Sequence, residues 1–155
     1  MLIKDLMNKN VFSLKNENTL LDACTMMSKH NIGFIPIVSN SKCISVITDR
    51  DIVLLLSNDI NLNTTFSNIP KKNVASINED SKIDEAYELM KKLKISRLVV
   101  ENDNKNIVGI LSASDLVCVE FTDRDSKNLY YEIKQPLTEN ENLKSNYVKI
   151  DDYCL

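Results

Sequence analysis

The chain has 155 residues, 43% of them hydrophobic and 26% charged, the make-up of a soluble globular protein with room for one ordinary domain or two small ones packed together. Its net charge is −3 and its basic doublets, Lys71-Lys72 and Lys91-Lys92, are isolated, so it lacks the phosphate-facing basic surface that a nucleic-acid partner requires. The longest purely apolar run, Ile52 to Leu56, is five residues, against the roughly 20 that a membrane helix needs. The opening Met-Leu-Ile-Lys-Asp carries an acid at position five and no apolar core segment, so no signal peptide is expected and the expected location is cytoplasmic. Cys24, Cys43, Cys118 and Cys154 are far apart in sequence and His30 is the sole histidine. Neither a disulfide nor a metal site is expected from that spacing.

In chain order, Ile3, Leu6 and Met7 have helical spacing and suggest one short turn. Val11-Phe12-Ser13-Leu14 reads as a short extended segment. Thr19 with Asp22 three residues later forms a capping-box pattern, and Leu20, Ala23, Cys24 and Met27 follow as one apolar stripe of a helix ending near His30-Asn31. Ile32 to Val38 has the length of a buried strand; Pro36 within it suggests an edge or a ligand on one side. Ser39 to Lys42 is a polar turn, and Cys43 to Ile47 is the returning strand of a hairpin. Arg50 to Asn58 then reads as a helix with Ile52, Val53, Leu55 and Leu56 inward.

The second half repeats this order. Leu20, Asp22, Ala23, Met26 and Met27 align with Ile83, Glu85, Ala86, Leu89 and Met90, each 63 positions later, and Phe66-Ser67-Asn68-Ile69 aligns with Ile3-Lys4-Asp5-Leu6. Val74-Ala75-Ser76-Ile77 matches Val11 to Leu14 in the same way. Asp115 minus Asp51 is 64, which places one inserted residue in the loop 102–106, where a hairpin tolerates it. The expected organisation is a repeat at 1–62, a second at 63–120, and a C-terminal extension at 121–155. The fold class is α/β, two β-α-β-β-α repeats packed sheet to sheet about a pseudo-twofold axis. The extension holds Tyr130, Tyr131, Tyr147 and Tyr153; aromatics are scarce in disordered tails, so it is expected to be partly ordered.

The most informative stretch is Val46-Ile47-Thr48-Asp49-Arg50-Asp51, which returns as Ile110-Leu111-Ser112-Ala113-Ser114-Asp115. Each is a strand end, a hydroxyl, two spacers and a carboxylate at a helix start. A capping box has that pattern. The same groups turned outward suit a ribose phosphate: free amides and a hydroxyl for phosphate, a carboxylate for vicinal hydroxyls.

Two such corners in a duplicated β-α-β-β-α frame resemble a tandem pair of cystathionine β-synthase (CBS) domains, a Bateman module. The family motif is Gly, hydrophobic, x, Thr or Ser, x, x, Asp. The segments Ile32-Gly33-Phe34-Ile35-Pro36-Ile37-Val38 and Ile95-Ser96-Arg97-Leu98-Val99-Val100 are similar to the family's second strands. The resemblance covers residues 1 to about 120 and implies a non-catalytic sensor of an adenosine-containing ligand (AMP, ADP, ATP, a dinucleoside polyphosphate or S-adenosylmethionine) held between the repeats. By resemblance, Asp51 and Asp115 hold ribose hydroxyls and Thr48 and Ser112 meet phosphate. Main chain near Phe12 and Ala75 reads the base edge, Ile35, Pro36 and Leu98 flank the adenine, and Arg97 is a candidate phosphate clamp. The resemblance also implies a homodimer that signals to an effector protein, with no cofactor required beyond the regulatory nucleotide. The chain departs from the family pattern at Ser45, which replaces the Gly of the first corner, at Asn8 and Pro70, where many members have Thr, and at Phe34, which stands where the second repeat has Arg97. If one site alone binds, the one with Ser112, Asp115 and Arg97 is favoured.

Against an enzyme stand the single His30, the lack of a Cys-His pair, and two glycines in all, too few for a phosphate loop. The alternative to a sensor is a ligand-free scaffold in which both corners are caps and the module dimerises to present its tail.

Overall fold

The computed structural model describes residues 1–118; the expected extension 121–155, with its four tyrosines, lies outside them. The chain forms two compact units. One holds residues 12–74 and is called the first-repeat unit. Among the described residues, the other holds 1–11 and 75–118 and is called the second-repeat unit.

In the first-repeat unit, α2 (Leu20–His30) starts on Thr19, whose side chain accepts from the Asp22 amide while Asp22 Oδ2 accepts from the Thr19 amide at 2.8 Å. The helix stops at Asn31, which takes the left-handed conformation (φ 51°) that asparagine tolerates. Strand β1 (Phe34–Ser39) and β2 (Lys42–Thr48) are antiparallel, joined through Asn40 and Ser41, both at positive φ as a tight hairpin turn requires. Helix α3 (Asp49–Ser57) follows without a gap. Leu14, Leu20, Ala23, Met27, Ile35, Ile37, Ile47, Ile52, Leu55, Phe66 and Ile69 form its core.

The second-repeat unit begins with the short α1 (Ile3–Leu6) and continues with β3 (Ser76–Asn78), α4 (Ile83–Leu93), β4 (Arg97–Glu101), β5 (Ile107–Ser112) and α5 (Ala113–Cys118). Its sheet has the order β3-β4-β5, with β3 parallel to β4 and β4 antiparallel to β5. Each hairpin carries a register shift at the same place in the repeat, after Ile37 and after Val100. The loop 102–106 is longer than the turn at Asn40-Ser41, which accounts for the inserted residue.

The leading segment of each repeat packs with the other repeat's elements. Ile3 is fully buried in the second-repeat core, and the amides of Ile3 and Lys4 donate to Ser81 and Glu79 carbonyls at 3.0 and 2.9 Å. Its counterpart Phe66 is buried in the first-repeat core, and its amide donates to Asn18. Thus residues 1–11 and 63–74 sit in units other than those their sequence repeats suggest.

Two further differences have local causes. Val53 and Leu56 were expected inward with Ile52 and Leu55, but they are 66% and 40% exposed. Successive helical residues rotate by 100°, so a five-residue apolar run surrounds the helix and only part of it can face the core. The segment at Phe12–Leu14 makes a single bridge, Leu14 to Ile37, where β3 makes a continuous ladder. The reason is Pro36. Its counterpart Val99 donates its amide to the Ala75 carbonyl at 3.0 Å, and proline has no amide to offer Phe12.

Candidate functional site

The two corners are built alike from their backbones outward. Thr48 ends β2 in extended conformation and caps α3: its Oγ1 accepts from the Asp51 amide at 3.1 Å and donates to Asp51 Oδ2 at 2.7 Å, and its own amide donates to the same oxygen at 2.8 Å. Ser112 does the same for α5. Its Oγ accepts from the Asp115 amide at 3.3 Å and donates to Asp115 Oδ2 at 2.6 Å, while its amide donates to that oxygen at 2.7 Å. Both corners are therefore capping boxes. In each, one carboxylate oxygen serves the cap and Oδ1 is turned elsewhere.

What meets Oδ1 differs between the units. Asp51 Oδ1 accepts from the ammonium of Lys72 in an ion pair whose side chains are only 8% and 16% exposed. Asp115 is half-buried, and among the described residues no group donates to its Oδ1. Arg97 lies opposite Ser112 across the β4–β5 ladder with its side chain exposed, and it makes no ion pair with a described residue. Phe34 holds the matching place opposite Thr48. The second-repeat unit thus brings Arg97, Ser112 and Asp115 to one strand-to-helix corner, and the first-repeat unit brings Thr48 and Asp51 to the other.

The remaining candidates are placed differently. Ile35 and Leu98 are 0% exposed and belong to the cores of their units, so their side chains are committed to packing. Pro36 is buried beside Ile35 in β1. The Ala75 carbonyl is held by Val99, whereas among the described residues no amide reaches the carbonyl of Phe12. The Phe12 ring stacks on His30, centroids 3.8 Å apart and planes 25° apart. That contact is a partner for His30 that spacing along the chain did not reveal; the sequence placed His30 only at a helix end.

Ser45, which replaces the glycine of the first corner, is buried, and its Oγ accepts the amide of Lys72 at 3.0 Å. At the second corner the equivalent Gly109 leaves room for the leading segment. A Cβ there would lie 2.4 Å from Met7 Sδ and 3.2 Å from the Asn8 carbonyl, and Asn8 exchanges both backbone hydrogen bonds with Ile110, at 2.9 and 3.0 Å.

A duplicated β-α-β-β-α chain with a hydroxyl-carboxylate cap at the same strand-to-helix corner of each copy defines a class of tandem-repeat protein. The chain belongs to the CBS domain family, whose profile matches residues 3–58 and 66–119. It is 31% identical over 115 residues to the CBS domain-containing protein YhcV of Bacillus subtilis, covering 74% of this chain and 81% of that one. It is 30% identical over 109 residues to the uncharacterized protein MJ1232 of Methanocaldococcus jannaschii, of whose length it spans only 36% while 70% of this chain is covered. Among solved structures it is similar to the CBS domain pair of protein MJ0100 in complex with 5′-methylthioadenosine and S-adenosyl-L-methionine, with 29% identity and a TM-score of 0.69 over 77% of this chain and 94% of that one. No helix among the described residues is long and apolar enough to cross a membrane.

Proposed function

We propose that this chain is a regulatory module that binds an adenosine-containing ligand at the Ser112–Asp115 corner and transmits occupancy to a partner protein. The observation that carries the reading is the half-buried Asp115, whose Oδ2 is fixed by the Ser112 cap while no described residue donates to its Oδ1. A fixed carboxylate of this kind accepts hydrogen bonds from a vicinal diol without reorganising. Arg97, exposed and directly across the ladder, supplies the cation for a ligand phosphate or carboxylate. The likeness to a CBS pair holding two adenosyl compounds supports the ligand class.

Leu21, Val53 and Leu56 are exposed apolar side chains of α2 and α3 in the first-repeat unit, and they support self-association into a homodimer. A ligand then acts by its differential affinity for two arrangements of the assembly.

Thermal shift against AMP, ADP, ATP, diadenosine polyphosphates and S-adenosylmethionine tests the reading. A ligand at 100 times its dissociation constant adds about 2.7 kcal/mol to folded-state stability. A shift abolished in Asp115→Ala is the expected result. Shifts of equal size in wild type and Asp115→Ala would sink it. Silence across the panel would leave self-association through α2 and α3 as the remaining role.

A further inference from the structure

The two corners share one motif, yet the residue that decides their chemistry lies outside it. Lys72 is held twice. Its amide donates to Ser45 Oγ, and its ammonium is paired with Asp51 Oδ1. Thr48 uses the other Asp51 oxygen. Both oxygens on which a ribose diol would rest therefore already accept from groups of the protein itself, and Asp51 as a whole residue is 6% exposed.

The matching residue in the second-repeat unit, 63 positions earlier, is also a lysine. Lys9 is nevertheless exposed and makes no ion pair with Asp115. The difference follows from the path of the leading segments. Over Gly109 the chain at Met7-Asn8 lies close to β5 and pairs with Ile110. Over Ser45 a side chain fills that space, and Pro70, the counterpart of Met7, lacks the amide that Met7 gives to the Ile3 carbonyl. The segment takes another route: Lys71 turns its ammonium to the Asn16 side chain and the Phe66 carbonyl, and Lys72 is brought over Asp51.

Building on the proposed ligand reading, we infer that Lys72 is a resident cation that closes the Asp51 corner to nucleosides, so that the chain takes one adenosyl ligand, at Asp115, and keeps its first corner as a staple tying residues 66–74 to the first repeat. A lysine ammonium supplies to Oδ1 the hydrogen bond and the charge that a ligand hydroxyl would otherwise meet.

Titration calorimetry with S-adenosylmethionine and with AMP reads the stoichiometry in wild type, Lys72→Met, Asp115→Ala and Asp51→Asn. The expected result is one site per chain in wild type, none in Asp115→Ala, one in Asp51→Asn, and two in Lys72→Met. Two sites in wild type, or one that is lost in Asp51→Asn or in Lys72→Met, overturns the closure while leaving a binding module. One site in both wild type and folded Lys72→Met overturns it as well. If wild type binds neither probe, the ligand reading fails separately; a single site gained in Lys72→Met then supports the closure and no gain overturns it. Should Lys72→Met not fold, amine acetylation of wild type decides. Lys72 is expected to label at least tenfold more slowly than Lys9, unchanged by saturating S-adenosylmethionine. Labelling at the rate of Lys9, or unmasking by the ligand, overturns the inference.

Discussion

Gly109→Ala places one methyl group where the leading segment crosses β5. The added Cβ would stand 2.4 Å from Met7 Sδ, 2.9 Å from Met7 Cγ and 3.2 Å from the Asn8 carbonyl oxygen. Met7 is 8% exposed and part of the second-repeat core, so it cannot swing into water without opening a void. Gly109 has no positive φ, so alanine meets no backbone strain and the cost is steric. Overpacking of this kind costs about 1–3 kcal/mol, and the less flexible unfolded chain returns about 0.4–1 kcal/mol. The net is a loss near ~1–2 kcal/mol, or a fall in Tm of roughly 2–8 °C for a chain of this size. Urea unfolding of wild type, Gly109→Ala, Met7→Ala and the double variant measures it. Shortening Met7 removes both atoms in closest conflict, so the alanine at 109 should cost less in the Met7→Ala background, by about 0.5 kcal/mol or more of coupling. Additive costs, or an unchanged midpoint in Gly109→Ala, would refute the account of how the leading segment is seated.

The other expectations rest on separate contacts. Thr19→Ala removes the side chain that accepts the Asp22 amide at 3.2 Å and should cost about 1 kcal/mol in urea unfolding; an unchanged midpoint would count against the cap. Asp22 has its pKa lowered from the ordinary 3.8, first by the Thr19 amide and then by the Asn18 side chain. Its contribution is therefore complete above the unfolded value and lost as the pH falls through the depressed folded value, so Asp22→Asn should flatten the acid limb of the stability curve, and an identical limb would argue otherwise. Ile35→Ala, at a fully buried site, should cost about 2–5 kcal/mol, while Val53→Ala, 66% exposed, should stay within about 0.5 kcal/mol at concentrations where the chain is monomeric; equal costs would reverse the inward assignment of α3. Lys72→Met leaves a buried carboxylate without its cation and should cost about 3–5 kcal/mol, much of it recovered in Lys72→Met with Asp51→Asn; a double variant no better than the single would show that the pair is not coupled.

Local features were legible because their causes are local. The capping box at Thr19 and Asp22, the stop at Asn31 and the tight turn at Asn40-Ser41 depend on neighbours a few residues apart. The repeat offset located the inserted residue in 102–106 for the same reason. The mispositioned part of α3 had a readable signal: five consecutive apolar residues cannot share one helical face. Pro36 carried a second signal, a missing donor at the place where Val99 gives one to Ala75. The ion pair of Lys72 with Asp51 and the bond to Ser45 span 21 and 27 residues. Both depend on the path of a segment packed in the other repeat's unit, and no periodicity encodes that path. The stacking of Phe12 on His30 was hidden in the same way, since it joins an extended segment to a helix end.

The family motif alone gives the two corners the same status, yet their hydrogen-bond inventories differ. Three positions account for it, and each changes the room or the donors available to the backbone. Ser45 in place of glycine adds an acceptor and fills space, Pro70 in place of Met7 lacks the amide that Met7 gives to the carbonyl of Ile3, and Pro36 in place of Val99 withholds one from Phe12. None touches Thr48 or Asp51 directly. Their effect is to choose which main-chain segment lies over the carboxylate and so which cation it meets. A carboxylate already paired with a poorly hydrated lysine gains little from a ligand hydroxyl, because binding would have to strip one buried partner to install another. A carboxylate whose second oxygen has no protein donor loses only water. The free-energy difference that separates a cap from a ligand site is thus set by the partner of Oδ1, and at the first corner that partner is Lys72, 21 positions from Asp51 and outside the motif.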